Sequence, residues 1–306
     1  MTRALVAAAL LGASLLAAAC VPTDEALPTG SAEFTIYAKD DELYVPADNL
    51  GSFGRRWNVR FDRIRMSFKT VTIGQVGVPE QCSYRGRGAR SNVIFDLSRG
   101  NIQTFNGLGA GDCPDVGVVL GLPDLATTLG AGMTVDDIGA MLAPPASHVI
   151  VEGRATPADP GDVATQPYSF LLRFDTARSA TTFGGCRSQV FRRGVRIVPE
   201  QRQHERITFN PFPLLFLKNG SQATFEHLAA ADDDGNRDGI VTMEELDQMT
   251  LERCRQVVGS TFDRSICTLR DNVTTGTVGD LVRDHLRDVI RYNDVGPCNG
   301  NPPGVE

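Results

Sequence analysis

The feature that most constrains this chain of 306 residues is a run of oxygen-bearing side chains at 234–245, which reads DGNRDGIVTMEE. Oxygen ligands recur at alternate positions in its first half, where they can converge on one cavity. Gly239 supplies the left-handed backbone of a sharp turn, and Glu245 ends the run with a carboxylate that can bind a cation through both oxygens. Hard oxygen donors favour Ca²⁺ over Zn²⁺. The predicted ligands are Asp234, Asn236, Asp238, the Ile240 carbonyl, Thr242 and Glu245.

The run resembles the calcium-binding loop of the EF-hand family, over about 12 residues and their flanks. The resemblance implies a helix–loop–helix region at 220–256 that binds one Ca²⁺, with Val241 anchoring the loop to the core. A dockerin-like repeat uses a similar loop, but it needs two copies and the sequence shows one. Because EF-hands usually pair, we expect this single loop to pack against another part of the protein.

The flanks of the loop carry helix signals. Phe225, Leu228 and Ala229 share one face of a predicted helix that begins with Ser221 as its N-cap. After the loop, Thr242 and Glu245 have the spacing of a capping box, which opens a second helix. The aspartates at 232 and 233 are expected only to add to the local negative field.

The chain begins with an export signal. Arg3 precedes an apolar run, and the run ends in Ala17-Ala18-Ala19-Cys20. Residues 1–19 resemble a bacterial lipoprotein signal peptide, which implies that Cys20 is lipidated and that residues 20–30 form a tether. Ala17 stands where leucine is usual, so ordinary signal-peptidase cleavage remains an alternative. Val21 favours outer-membrane sorting by analogy, which implies a cell-envelope protein, periplasmic or surface-exposed.

Cysteine usage agrees with an oxidising compartment. Of the seven cysteines, Cys20 is assigned to lipid and six remain, an even number that predicts three disulfides. The sequence does not choose among their pairings. The six are Cys82, Cys113, Cys186, Cys254, Cys267 and Cys298.

Residues 31–219 have the pattern of a β-rich domain. Trp57, Val59 and Phe61 alternate, and the next apolar residues alternate in the opposite phase, which predicts a bulge near Asp62-Arg63. Short apolar stretches separated by turn residues favour an antiparallel β-sandwich-like domain. Further strands are predicted at 33–38, 92–97, 148–153, 168–174, 190–198 and 206–209. A helix is predicted at 134–142, and a loop at Gly107–Gly111.

The C-terminal part, 257–306, is predicted to contain one amphipathic helix and a disulfide-linked tail. The helix spans Thr277–Tyr292, with Thr277 and Asp280 at its start. We expect it to cover the apolar face of the single calcium loop. The predicted fold class is therefore mainly β, with a C-terminal α-helical EF-hand region.

Composition and motifs narrow the function classes. A net charge of −7 argues against a nucleic-acid partner. The four histidines form no metal motif and are predicted to be surface or structural residues, and no catalytic residues are singled out. The favoured interpretation is a calcium-binding envelope lipoprotein, whose calcium braces the C-terminal region and whose β domain binds an envelope protein or glycan. The alternative is a secreted hydrolase with a structural calcium site.

Overall fold

A computed structural model describes residues 28–47, 57–73, 92–113, 116–158, 166–186, 195–219, 222–258, 264–293 and 296–300. The predicted signal peptide, Cys20, most of the predicted tether, Cys82, residues 190–194 of a predicted strand and Ser221 lie outside the described residues. Within them the chain is mainly β, as predicted.

One sheet has five strands and joins the beginning of the described chain to its end. Its strands, in spatial order, are β18 (Gly296–Pro297), β17 (Ile290–Tyr292), β13 (Arg202–Phe209), β1 (Thr29–Tyr37) and β5 (Asn101–Gly109). β1 and β13 run parallel, and the other neighbours are antiparallel. Alternate residues of β1 are buried, because one face of the strand packs on the core.

The other main sheet has ten strands and is built around the long strand β3. Its main path, in spatial order, is β16 (Ile240–Thr242), β10 (Tyr168–Asp175), β9 (Ser147–Pro157), β3 (Trp57–Ile73), β7 (Val116–Leu120), β11 (Thr182–Gly184) and β19 (Asn299–Gly300). Three short strands lie off this path: β2 (Tyr44–Val45), β4 (Val93–Asp96) and β8 (Thr128–Leu129). The register of β3 against β9 shifts between Phe61 and Arg63, so the predicted bulge is confirmed.

Two antiparallel two-stranded sheets complete the described strands. They are β6 (Gly111–Cys113) with β12 (Val195–Ile197), and β14 (Leu217–Asn219) with β15 (Gln222–Thr224). The sheets are mixed, because β1–β13, β10–β16 and β4–β8 are parallel pairs. The prediction of an antiparallel β domain is therefore confirmed only in part, since the chain is mainly β but its sheets are mixed. Each parallel pair joins segments separated along the chain, and a strand's own pattern does not reveal its partner's direction.

Seven α-helices are described. They are α1 (Asp40–Leu43), α2 (Val135–Leu142), α3 (Phe212–Leu215), α4 (Glu226–Asp234), α5 (Met243–Gln248), α6 (Leu251–Val258) and α7 (Val278–His285). The predicted capping box of α5 is present, and α2 and α7 begin with capping boxes as well. Helix α4 begins later than predicted, because Gln222–Thr224 is a strand and Phe225 is the N-cap.

Two other boundaries differ from the sequence prediction. The helix predicted over Thr277–Tyr292 ends at His285, and Ile290–Tyr292 is strand β17, paired with β13. Ile290 and Tyr292 are fully buried there, so the pairing overrides their helical spacing. The run Gly107–Gly111 is not a loop, because it lies in β5 and β6 around Ala110.

One disulfide joins the C-terminal end of the described chain to its middle, and another closes a short loop. Cys186 is bonded to Cys298, and Cys254 is bonded to Cys267. Cys113 is disulfide-bonded as well. Buried side chains from both main sheets and from the helices form one hydrophobic cluster. Among the described residues, no helix is both long and apolar enough to cross a bilayer.

Candidate metal centre

The acidic run folds as helix, turn, short strand and helix. Helix α4 ends at Asp234, and the backbone N–H of Gly235 donates to the carbonyls of Ala231 and Asp232 at 3.0 Å. The chain then turns sharply through Gly239, whose φ of +78° confirms the predicted left-handed position. After the turn, strand β16 leads into helix α5, so that the loop brings the two helix ends together.

Three carboxylates converge at the centre of this loop. The ligand oxygens of Asp232, Asp238 and Glu245 all lie within 4.8 Å of one another. Asp232 and Glu245 are buried, whereas Asp238 is exposed. Within the described part of the chain, none of the three forms an ion pair with a lysine or arginine. The cluster, hereafter the loop cluster, therefore concentrates negative charge without a cation from the chain.

Asp232 shows the clearest sign of a missing partner. One of its carboxylate oxygens, Oδ1, accepts a hydrogen bond from the Gly239 N–H at 3.1 Å. The other, Oδ2, is buried and has no hydrogen-bond partner. Burial raises the pKa of Asp232, and repulsion by Glu245 and Asp238 raises it further. A buried carboxylate oxygen without a donor is costly, and a bound cation would remove that cost.

Glu245 is held in place by the start of helix α5. Its Oε2 accepts hydrogen bonds from the Thr242 N–H at 3.0 Å and the Thr242 hydroxyl at 3.1 Å. Its Oε1 accepts from the Asn236 N–H at 3.4 Å. The carboxylate also lies at a helix N-terminus, where the helix dipole favours negative charge. The capping box therefore aims Glu245 at the loop.

Three consecutive aspartates of α4 point to three different partners, because successive residues of a helix are about 100° apart. Asp232 faces the loop cluster. Asp233 accepts a hydrogen bond from the Tyr168 hydroxyl at 2.8 Å. Asp234, the first predicted ligand, accepts two hydrogen bonds from Arg253 at 2.7 and 3.0 Å, and this arginine lowers its pKa. The structure therefore brings Asp232, and not Asp234, to the other carboxylates.

The sequence carried a signal for Asp232. Phe225, Leu228 and Asp232 stand at i, i+3 and i+7, so they share the buried face of helix α4. Asp233 and Asp234 lie off that face. Counting alternate positions within the loop favoured Asp234, whereas the helix period favours Asp232.

The remaining predicted ligands lie on the loop but make hydrogen bonds within it. The Asn236 amide oxygen accepts from the Asp238 N–H at 2.8 Å, and its Nδ2 donates to Asp238 Oδ2 at 3.2 Å. Asp238 Oδ1 also accepts from the Ile240 N–H at 2.8 Å. The Thr242 hydroxyl is shared with Glu245. These bonds hold Asp238 and Glu245 in position.

The residues present fit a calcium ion. All donors in the loop cluster are hard oxygens, and Ca²⁺ takes six to eight oxygen ligands in a flexible geometry. Close packing around Glu245 supports the fit, since a Cβ added at Gly235 would lie 2.9 Å from Glu245 Oε1 and 2.9 Å from the Ala231 carbonyl oxygen. A glycine at this position therefore lets the helix end approach the carboxylate.

The single loop is attached to the ten-stranded sheet. Strand β16 runs parallel to the edge of β10, where Val241 pairs with Phe170 and is fully buried. The Ser169 N–H donates to the Gly239 carbonyl at 2.8 Å. The loop is thus anchored to the edge of the sheet, and sequence reasoning did not foresee this pairing.

An aromatic group links the same sheet to helix α4. The Trp57 ring lies 5.6 Å from Tyr168 and 5.4 Å from Phe225, measured between ring centroids. The Trp57 indole N–H donates to Glu226 Oε1, in the first turn of α4, at 3.3 Å. Movement of α4 with the loop would therefore change the surroundings of Trp57, the only tryptophan of the chain.

Helix α7 also packs against the loop region, as predicted. The Val278 N–H donates to the Met249 carbonyl at 2.8 Å, and the Leu251 N–H donates to the Gly276 carbonyl at 3.1 Å. The loop region is therefore held on one side by a sheet edge and on the other by the C-terminal helix.

The histidines play no part in the loop cluster. His204 is exposed and lies 3.0 Å from Glu33. His148 and His227 are buried, and burial lowers their pKa values to about 4 and about 3. These two are structural and neutral at pH 7, in the core rather than at the surface.

Searches against protein-family models, curated proteins and solved structures gave no significant match to this chain. Its function is therefore inferred from the loop itself.

Proposed function

We propose that the chain binds one Ca²⁺ in the loop 232–245. Asp232, Asp238 and Glu245 are its carboxylate ligands, and Asp232 takes the place predicted for Asp234. The amide oxygen of Asn236, the Ile240 carbonyl and Thr242 are the further ligand candidates. The observation that carries the proposal is the buried, unpartnered Oδ2 of Asp232 beside two other carboxylates.

Calcium acts here as a structural brace. Without a cation, three negative charges oppose closure of the loop, whereas a bound ion adds RT ln(1 + [Ca²⁺]/Kd) to the free energy of unfolding. That energy acts on both elements that contact the loop region, strand β10 and helix α7. A single loop with three carboxylates suggests a Kd of roughly 10⁻⁵ to 10⁻³ M.

Calorimetry on the folded, calcium-free protein tests the binding proposal. Wild type should bind one equivalent of Ca²⁺, and both Asp232→Asn and Glu245→Gln should raise the Kd by at least about tenfold. Glu244→Gln is the matched control, because Glu244 is the exposed neighbour on the same helix turn. Unchanged affinity in Glu245→Gln, or no wild-type binding at millimolar calcium, would refute the proposal.

Hydrogen exchange distinguishes a brace from a switch. Calcium should increase amide protection within roughly residues 222–292 and at the edge of β10, since these contact the loop region. A switch would instead expose apolar surface on calcium binding. Calcium-dependent binding of a hydrophobic dye would therefore argue against the brace.

The rest of the proposal places the chain in the cell envelope. We infer that it is an outer-membrane lipoprotein anchored at Cys20, whose β domain binds an envelope protein or glycan. The support is the signal-like sequence before Cys20, together with two disulfides that suit an oxidising compartment.

Cell fractionation tests the anchor. Wild type should appear in the membrane fraction and incorporate labelled fatty acid, whereas Cys20→Ala should be soluble and unlabelled. Thiol labelling of the soluble variant is the control for export, because an exported chain keeps its disulfides. Membrane retention of Cys20→Ala would contradict the lipid anchor.

A further inference from the structure

A cavity of about 560 Å³ lies away from the calcium loop, between the N-terminal and C-terminal parts of the chain. Its walls come from α1 and β2 on one side and α3 on another. The 3₁₀ turn Arg264–Cys267, the end of α7 and strand β17 close the remaining side. The volume falls within the range of about 300–1,000 Å³ typical of small-molecule sites.

The deep end of the cavity is apolar. Phe216 and Leu217 are each 2% exposed, and Val45 is 5% exposed. The ring of Phe212 stacks on that of Phe216 with centroids 4.5 Å apart. This end can bury a hydrocarbon or aromatic group but offers few hydrogen-bond partners to a polar one.

The entrance is acidic. Asp41 and Asp288 are exposed or half exposed there, Glu42 lies deeper, and Arg291 is the one arginine among the described lining residues. Arg291 lies 3.6 Å from Glu42, and Asp288 lies 2.6 Å from Arg270, which does not line the cavity. The carboxylates thus outnumber the arginines even when Arg270 is included.

Two other side chains at the cavity agree with this charge. Burial lowers the pKa of His285, so it adds no positive charge at neutral pH. Tyr44 is half exposed at the entrance and presents an aromatic ring beside the carboxylates. Aromatic faces and carboxylates both attract organic cations.

We propose that this cavity binds a small organic monocation: a primary amine or quaternary ammonium attached to an apolar body. The apolar body enters first and is buried against Phe216 and Leu217, and the ammonium group remains at the entrance beside Asp41, Asp288 and Tyr44. The excess of carboxylates disfavours an anion. An inorganic cation has no apolar surface to bury against the apolar end of the cavity. This site does not depend on the calcium proposal.

Three matched probes test the ligand class on the folded protein: 2-phenylethylammonium, the neutral 2-phenylethanol and the anionic 3-phenylpropanoate. The ammonium should bind tightest, the alcohol about fivefold or more weakly, and the carboxylate weakest. Methyl NMR signals of Val45, Leu217 and Ile266 should shift with the ammonium probe.

Variants at the entrance give a second readout that leaves the core intact. Asp41→Asn, Asp288→Asn and Tyr44→Ala should each weaken ammonium binding by about two- to fivefold, without affecting the alcohol. Asp136→Asn, an exposed carboxylate on α2, is the matched control and should change nothing. Equal binding of ammonium and alcohol, shifts confined to residues outside the cavity, or no saturable binding up to about 10 mM would each overturn the proposal.

Discussion

Two charged clusters each take one carboxylate from the same short helix, α5, yet the negative charge of each is compensated differently. Glu245 belongs to the loop cluster, whose three carboxylates have no ion pair in the described part of the chain. Asp247, two residues later, receives two hydrogen bonds from Arg283 at 2.5 and 2.8 Å and two from Arg178 at 2.7 and 3.2 Å. Arg178 also reaches Asp280 at 2.9 Å.

The second group, hereafter the arginine-paired cluster, consists of Asp247, Asp280, Arg178 and Arg283. Burial opposes the charge of Asp247, but the two arginines outweigh it and lower its pKa. Burial raises the pKa of Asp232, and the like charges of Glu245, Asp238 and Asp233 raise it further. One cluster contains its own counterions, and we propose that the other takes its cation from solution.

The largest expected effect comes from breaking the arginine-paired cluster. Arg283 is 5% exposed, and Arg283→Met leaves a partly buried Asp247 with less compensation. We expect the free energy of unfolding to fall by about 3–5 kcal/mol, equally with and without calcium. Urea denaturation followed by Trp57 fluorescence measures this.

Arg60→Met is the control for that variant, because the Arg60 side chain is 68% exposed and pairs with Asp62 at the surface. Its effect should stay within about 0.5 kcal/mol. If calcium restored the stability of Arg283→Met, the two clusters would act as one unit. That result would contradict their independent compensation.

Calcium removal should affect the loop cluster next most strongly. At a hundredfold excess over Kd, calcium should stabilise wild type by about 2.7 kcal/mol, and a chelator should remove that stabilisation. At the same calcium concentration Glu245→Gln, with a Kd at least about tenfold higher, should lose about half of this stabilisation or more. A wild-type unfolding midpoint that is identical with calcium and with chelator would contradict the brace.

In calcium-free protein, Asp232→Asn should increase the free energy of unfolding, whereas most core substitutions decrease it. Removing one of three like charges relieves repulsion worth about 1 kcal/mol per pair at 4 Å in water, so the variant should be more stable than wild type. With saturating calcium the order should reverse, because the variant loses a ligand. The same denaturation assay in chelator and in calcium checks both signs.

The pH dependence separates the two clusters further. The raised pKa of Asp232 contributes stability that is present below the unfolded value of about 3.9 and is lost as the pH rises through the folded pKa. The lowered pKa of Asp247 contributes stability that is present above about 3.9 and is lost as the pH falls through its folded pKa. As the pH rises, the free energy of unfolding of calcium-free Asp232→Asn should therefore increase relative to that of wild type. That of Asp247→Asn should decrease relative to wild type. Parallel pH profiles for the two variants would be inconsistent with this assignment.

The smallest effect is expected at Asp234. Its side chain is 41% exposed and pairs with Arg253, itself 46% exposed. Because exposed ion pairs contribute about 0.2–1 kcal/mol, Asp234→Asn should cost no more than that and should leave the calcium Kd within about twofold of wild type. Calorimetry decides between Asp232 and Asp234, since a large loss of affinity in Asp234→Asn would restore the original ligand assignment.

Features that depend on a few neighbouring residues were predictable from sequence. The left-handed turn at Gly239, the capping boxes at Thr134, Thr242 and Thr277, and the bulge near Asp62 each follow from local spacing, and the structure has all of them. Several strand positions followed from alternating apolar residues for the same reason, but β5 and β7 were not predicted.

Partners distant in sequence depend on the tertiary structure. The pairing of β16 with β10, the parallel pairing of β1 with β13 and the change from helix to strand at Ile290 all depend on elements far away along the chain. Sequence alone placed an acidic loop at 234–245 and its turn at Gly239. Only the packing of helix α4 against the sheet decided which aspartate enters it, because burial of Phe225 and Leu228 sets the rotation of the helix and so turns Asp232 inward.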